Sequence, residues 1–325
     1  MSEDKRVAII GCGVMGCDVA AIFLAKGWSV DATTRDEATW ERRRERVQAS
    51  LAQIGAPFAP ARFRLHHAAQ DIDWSKVTFG LESVPEVFEL KSQVFAELDA
   101  LVPPHIPLAT NTSGFRISLI AGDCRTAHRM VGLHFFLPAH LVPAVEVVRG
   151  EKTSADVAES LYAIMASVGR KPIRVARDVP GFLANRIQHA LMREAFAVID
   201  EGLGTAEDVD TAVRYGFGFR YVAAGPILQK EFAGLDTQLA AARTIYPSLH
   251  NGAEPSRTLQ ELVAQGRRGI KSGGGFWDWT PDSANAALKA YEETLIAAAR
   301  LLDAGPGAAT ATADAQTPKG PRHDR

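Results

Sequence analysis

Only three of the 325 residues are cysteine, and Cys12, Cys17 and Cys124 have neither an even count nor the paired spacing of zinc ligands. A disulfide framework and a structural metal are excluded on that ground, and the three thiols read as small, reduced packing residues. No apolar run approaches the roughly 20 residues of a membrane span, and Met1-Ser2-Glu3-Asp4-Lys5-Arg6 runs into a short strand without a secretory apolar segment. The expected location is the cytoplasm, with no membrane partner. Charge of one sign is also missing: 36 basic against 38 acidic residues leave a net charge of −2. Such a chain has no global field for nucleic acid, and a small-molecule substrate is the expected partner.

What is present is ordinary globular composition, 46% hydrophobic against 23% charged. The length exceeds one hydrophobic core of about 100–200 residues, so two domains are expected. Arg6 to Ile10 is an apolar, β-rich run that ends in Gly11-Cys12-Gly13-Val14-Met15-Gly16 and passes into the helical pattern Val19 to Ala25. A return strand is predicted over Trp28 to Thr34, a charged helix over Trp40 to Ile54, and a proline-broken loop over Pro57 to Arg64. Val77–Leu81, Pro107–Thr110, Met130–Phe135 and Val145–Val148 are further strand candidates, and their alternation with helices argues for a mostly parallel sheet.

Past Pro180 the texture becomes helical. Gly181 to Asp200 is one long amphipathic pattern, and Thr205 with Asp208 three residues later reads as an N-terminal cap. The fold class is therefore α/β: an N-terminal Rossmann-type doubly wound sheet, residues 1–180, followed by an all-helical domain for substrate and dimerisation, 181–303. The polar stretch 304–325 lacks aromatics and periodicity and is expected to be disordered.

The glycine run carries the cofactor expectation. Between a strand and a helix, Gly11 allows the tight turn, Gly13 lets a pyrophosphate approach, and Gly16 permits close packing, while the helix N-terminus offers free N–H groups. Val14 and Met15 lie in the same cradle. An acidic residue at the end of the second strand would bind the ribose of NAD, but this strand ends Thr33-Thr34-Arg35-Asp36. If Thr34 takes the acidic position, Arg35 pairs with a 2′-phosphate and NADP is accepted or preferred; otherwise Asp36 serves the ribose of NAD. Both readings stay open.

Hydride transfer from an alcohol also needs a base, a group that orients it and donors for the oxygen. His134 ends an apolar strand, and Glu146 lies twelve residues on in a second apolar run beyond a proline-bounded loop. Strands joined this way can place a carboxylate against the imidazole.

With these residues come others in a fixed order: Glu82-Ser83-Val84-Pro85-Glu86 with Lys91, Asn111-Thr112-Ser113, Gly132-Leu133-His134-Phe135-Phe136, Asp178-Val179-Pro180-Gly181-Phe182 with Asn185-Arg186, and Gly269-Ile270-Lys271-Ser272-Gly273. Over about residues 6 to 280 the chain resembles the L-3-hydroxyacyl-CoA dehydrogenases. The resemblance implies that His134 is the general base, Glu146 its orienting carboxylate, and Ser113 and Asn185 donors at the substrate oxygen. It also implies that Glu86, Lys91 and Asn111 lie near the nicotinamide and its ribose, and that the helical domain forms a homodimer.

Several positions depart from that pattern. Asp18 replaces a common glycine inside the first helix, and Leu137 to Pro143 replaces the usual loop between base and carboxylate. Glu82 to Lys91 and Gly216 to Tyr221 look closer to the branch that acts on free hydroxy acids, with its carnitine, gulonate and pyridine-alcohol dehydrogenases. A CoA ester needs cations for its phosphates, for which Arg42, Arg43, Arg46, Arg62 and Arg64 are candidates; a small carboxylate needs one arginine, for which Arg220 is a candidate. The CoA ester is favoured by its frequency in the family and a free hydroxy acid is the alternative. A non-catalytic, crystallin-like role stands as the third class.

Overall fold

The alternation of apolar strands and helices produces, in the computed structural model, one eight-stranded sheet; residues 5–304 are described. Its strands are β1 (Arg6–Ile10), β2 (Ser29–Thr33), β3 (Phe63–His66), β4 (Phe79–Glu82), β5 (Leu108–Thr110), β6 (Met130–Phe135), β7 (Ala144–Arg149) and β8 (Lys171–Val175). They run in the order β3-β2-β1-β4-β5-β6-β7-β8. Every pairing is parallel except β6 with β7, so the last two strands run against the rest. Five helices accompany the strands: α1 (Val14–Leu24), α2 (Trp40–Gln53), α3 (Phe88–Leu101), α4 (Ile117–Ala121) and α5 (Ala155–Ser167).

Both strands that the sequence did not announce are edges. The loop expected over Pro57 to Arg64 gives way to β3, whose burial alternates, and β8 carries Pro172 and is mostly uncovered. An edge strand need not be apolar on both faces and tolerates a proline, so neither reads as a continuous apolar run. Inner strands do: every residue of β1, β2, β4, β5 and β6 is buried. Phe23, Trp28 and Phe79 pack as tilted and edge-on aromatic pairs within the larger core.

The chain divides into two compact units, one ending at Gln188 and the other beginning at His189. This division lies inside α6 (Ala184–Asp200) rather than at Pro180, because the first residues of that helix are bonded to the sheet unit, as described below. α6 begins after Gly181 and Phe182, both in the left-handed region at φ 74° and 49°.

The second unit holds α7 (Ala206–Thr211), α8 (Pro226–Ala233), α9 (Leu235–Ile245), α10 (Arg257–Ala264) and α11 (Pro281–Ala304). Thr205 and Asp208 form the reciprocal cap of α7, and the Asp200 carboxylate accepts the backbone N–H groups of Arg257 and Thr258 at 2.9 Å each. Apart from Ala304, the stretch expected to be disordered lies outside the described residues. Among the described residues no helix is long and apolar enough to cross a membrane, and no cluster of three His, Cys, Asp or Glu side chains could hold a metal ion.

Candidate active site

The turn after β1 makes the first wall of a cavity of about 970 Å³ whose lining residues all belong to the sheet unit. Gly11 has φ +104°, and a Cβ there would lie 2.7 Å from the Ser83 carbonyl oxygen; one on Gly16 would lie 2.2 Å from that of Gly11. A Cβ on Gly13, by contrast, would meet nothing within 4 Å. The loop is thus closed against the protein at two glycines and open at the third, which is the space a pyrophosphate needs beside the N–H groups opening α1. Gly11, Gly13, Val14 and Met15 line the cavity. Gly16 does not: it is spent on packing against the Gly11 carbonyl.

Thr34, Arg35 and Asp36 line the same cavity past the end of β2. One oxygen of Asp36 accepts the Ala38 N–H at 3.0 Å, capping the short turn Glu37–Thr39. Arg35 is exposed. Arg43 of α2 also reaches the cavity, and its buried Nε has no hydrogen-bond partner among the described residues.

Asp18 turns away from this space. Its carboxylate is fully buried, takes two guanidinium N–H groups of Arg46 at 2.9–3.1 Å and the Ser50 hydroxyl at 3.0 Å, and lies 3.4 Å from Nδ1 of His140. Burial raises its carboxyl, but His140 and Arg46 outweigh that and hold it below the ordinary value. The charge that is unwelcome beside a pyrophosphate is therefore neutralised on the other side of the helix.

The catalytic wall is built by the antiparallel pair. His134 and Glu146 are directly opposed in the register of β6 and β7, and Nδ1 of His134 lies 2.7 Å from Oε2 of Glu146. The other carboxylate oxygen accepts the N–H groups of Leu183 and Ala184 at 3.0 and 2.8 Å. Burial raises the Glu146 carboxyl, yet the bonds to His134 and to these two amides together hold it below the ordinary carboxylate range. The left-handed Gly181-Phe182 turn aims those amides, and the buried Phe182 ring lies against the His134 ring at 5.8 Å, with Phe136 at 4.6 Å. His134 faces the cavity while Glu146 is wholly covered. A neutral imidazole so placed can take a proton on Nε2, its tautomer fixed by the anion behind it.

Ser113 and Asn185 also line the cavity, and the Asn185 amide donates to the Ser113 carbonyl at 2.9 Å. Asn111 lines it too, accepting the Phe135 N–H at 3.0 Å. Glu86 accepts the Ser113 N–H at 2.9 Å and the Thr112 hydroxyl. Lys91 departs from expectation: its side chain is 1% exposed and lies under the cavity, not in its wall. Its ammonium is 2.9 Å from Glu82, 3.2 Å from Glu86 and 3.3 Å from the Val84 carbonyl oxygen, so it reaches the site through Glu86 and Val84, which line it. Arg220 belongs to the second unit, where it is exposed on the turn Gly218–Val222.

Three contributors were not singled out from the sequence. Glu82, pushed up by burial against the pull of Lys91, Thr110 and the Val84 amide, anchors Lys91. Thr112 fixes Glu86. The Leu183 and Ala184 amides carry no residue-type signal at all; Gly181 was the one hint of the turn that aims them.

Comparison with known proteins matches both parts of the chain to one family. Residues 6–179 match the family model described as 3-hydroxyacyl-CoA dehydrogenase, NAD binding domain, and residues 181–279 match the C-terminal domain of the same family. The 5-formyl-3-hydroxy-2-methylpyridine 4-carboxylate 5-dehydrogenase of Mesorhizobium japonicum is 31% identical, over 92% of this chain and 98% of that protein. The L-carnitine dehydrogenase of Streptomyces coelicolor is 32% identical, over 82% and 92%. Among solved structures, a 5-formyl-3-hydroxy-2-methylpyridine 4-carboxylic acid 5-dehydrogenase, described as an NAD+ dependent dismutase, superposes with a TM-score of 0.87 at 30% identity, covering 92% of this chain and 98% of its own. The (S)-3-hydroxybutyryl-CoA dehydrogenase of Ralstonia eutropha gives 0.69 at 28% identity, covering 85% and 99%.

Proposed function

The chain belongs to the 3-hydroxyacyl-CoA dehydrogenase family, and from that premise we propose that this NAD-dependent oxidoreductase acts on a small free substrate, a hydroxy acid, alcohol or aldehyde bearing its own carboxylate, in preference to a CoA thioester. The observation that carries this reading is the higher similarity to the pyridine-carboxylate enzyme than to the hydroxybutyryl-CoA enzyme, 0.87 against 0.69. The cations available for CoA phosphates are also depleted. Arg46 is committed to Asp18, Arg62 donates to the Gly27 carbonyl, and Arg43 sits at the dinucleotide end of the cavity.

In this reading the substrate hydroxyl lies against Nε2 of His134, between Ser113 and Asn185. His134 takes the hydroxyl proton of the alcohol as the aldehyde or ketone forms, or that of an aldehyde's hydrate, RCH(OH)2, as the acid forms, and returns it to the carbonyl oxygen when a carbonyl is reduced. Glu146 holds Nδ1 as donor and stabilises the imidazolium without taking the proton itself. Phe136 and Phe182 fix the ring and keep water from it. When bound, the nicotinamide supplies the acceptor for the two electrons that leave the same carbon as hydride. Gly11, Gly13, Val14 and Met15 hold its pyrophosphate, and Glu86, braced by Lys91 and Thr112, faces its ribose.

At the other end of the dinucleotide we propose that a 2′-phosphate is tolerated. Thr34 brings no anion, one oxygen of Asp36 is committed to Ala38, and Arg35 with the unpartnered Nε of Arg43 offers positive charge.

The helical unit supports a further proposal, self-association. Among the described residues from His189 onward, the buried apolar side chains are Ala197 and Ala284, whereas Ile227, Phe232 and Phe219 are 76%, 73% and 68% exposed. Two alanines make no core, and apolar surface on this scale is covered most simply by a second copy of the same helices.

The deciding assay sets acetoacetyl-CoA reduction beside oxidation and reduction of free hydroxy acids, pyridine alcohols and pyridine aldehydes with NAD(H). Turnover of a free substrate at a kcat/KM at least about tenfold above that for the thioester is expected. The reverse preference overturns the proposal and restores the CoA reading.

A further inference from the structure

Cys12 lies within the glycine loop and Cys17 directly follows it, and their sulfurs lie 3.5 Å apart. The mechanism uses neither. Both are reduced and buried, and Cys12 lines the dinucleotide cavity, the side from which a small oxidant would approach the pair. From this geometry we infer that Cys12 and Cys17 are an oxidation site for hydrogen peroxide, forming an intraloop disulfide that abolishes dinucleotide binding and from which bound dinucleotide protects.

The chemistry balances with peroxide as the oxidant. One of the two sulfurs, as its thiolate, attacks one peroxide oxygen, the O–O bond breaks, hydroxide leaves and that cysteine becomes a sulfenic acid. The other sulfur then attacks it and displaces the hydroxyl as water, the two thiol protons completing two waters. Two thiols are oxidised by one two-electron reduction of peroxide. Hydrogen bonding between the two sulfurs, in which either can be the donor, lowers the Cys17 thiol against the effect of burial, and Arg43 and Arg46 lower it further. The same contact, then burial, pushes the Cys12 thiol up.

Loss of binding follows from the loop. A disulfide needs its sulfurs about 2.05 Å apart, so the 3.5 Å gap must close. The segment between the two sulfurs is Gly13-Val14-Met15-Gly16, and it has no slack on its inner side, where Gly16 already abuts the Gly11 carbonyl and Gly11 abuts Ser83. Contraction therefore distorts the N–H groups that face the pyrophosphate. A bound dinucleotide covers Cys12 and blocks entry.

The test uses the full chain and needs no knowledge of its substrate. The tryptic peptide Val7–Lys26 contains both residues; after peroxide it should be lighter by two hydrogens, with recovery in dithiothreitol and protection by prior addition of NADH. NADH affinity, read by its fluorescence, should fall at least about tenfold in parallel and return on reduction. Cys17→Ala and Cys12→Ala should each remove the reversible loss, and Cys124→Ala should retain it. The inference is overturned if the peptide keeps both thiols, if the disulfide forms while NADH affinity is unchanged, or if Cys17→Ala loses NADH binding to peroxide as reversibly as the unaltered protein. Should the alanine variants fail to fold, the mass and affinity of the unaltered protein decide by themselves.

Discussion

Nδ1 of His134 lies 2.7 Å from a carboxylate oxygen of Glu146, at positions directly opposite each other on the only antiparallel strand pair of the sheet. A neighbouring carboxylate favours the charged imidazole, so removing its charge makes the base weaker. With Glu146→Gln, kcat for alcohol oxidation should fall at least about tenfold, because the imidazolium formed as His134 takes the proton loses its counter-charge. An unchanged kcat in this variant would disconnect the two residues.

Loss of the base itself should be deeper and more selective. His134→Ala should lower kcat by about 10²–10⁴-fold while NADH binding, followed by fluorescence, is retained, because the dinucleotide cradle is made by a different wall. Full turnover in this variant would remove His134 from the chemistry.

Cofactor choice should respond to Arg35. An arginine–phosphate contact is worth enough that Arg35→Ala should cost about tenfold or more in kcat/KM for NADPH and much less for NADH. An unaltered NADPH/NADH ratio would leave the 2′-phosphate proposal without its main residue.

Asp18 should matter for stability, with a defined pH dependence. Asp18→Ala leaves Ser50, His140 and Arg46 without their shared acceptor, and about 3 kcal/mol should be lost in urea unfolding at neutral pH. Because the Asp18 carboxyl is held below its ordinary value of 3.8, its contribution is fully present above that pH and disappears as pH falls through the lower, folded value. The gap between Asp18→Asn and the unaltered protein should therefore narrow below about pH 3.8; a constant gap would mean the charge plays no part.

The exposed helical face predicts association. Sedimentation should give a dimer, and Phe232→Asp with Ile227→Asp should weaken it. A monomer at micromolar concentration would refute the proposal.

Much of the sheet unit was legible because inner strands are covered on both faces and must be apolar. The edges β3 and β8 escaped for the converse reason: with one side free, Arg64 and Pro172 are tolerated there. Lys91 was expected at the site through the family resemblance, but not as a residue buried beneath the wall, since that depends on Glu82 and Thr110 from two neighbouring strands.

By itself the sequence determined the strand, glycine turn and helix of the dinucleotide loop and which inner segments are strands, and it placed one histidine and one glutamate on two strands that a short loop joins, since each rests on local periodicity. Tertiary structure alone decided that Asp18 faces Arg46 and His140 instead of the cavity, that the amides of Leu183 and Ala184 hold Glu146, and that two cysteines meant for packing touch. These depend on side-chain direction and on contacts between distant segments, which are fixed only when whole elements pack against each other.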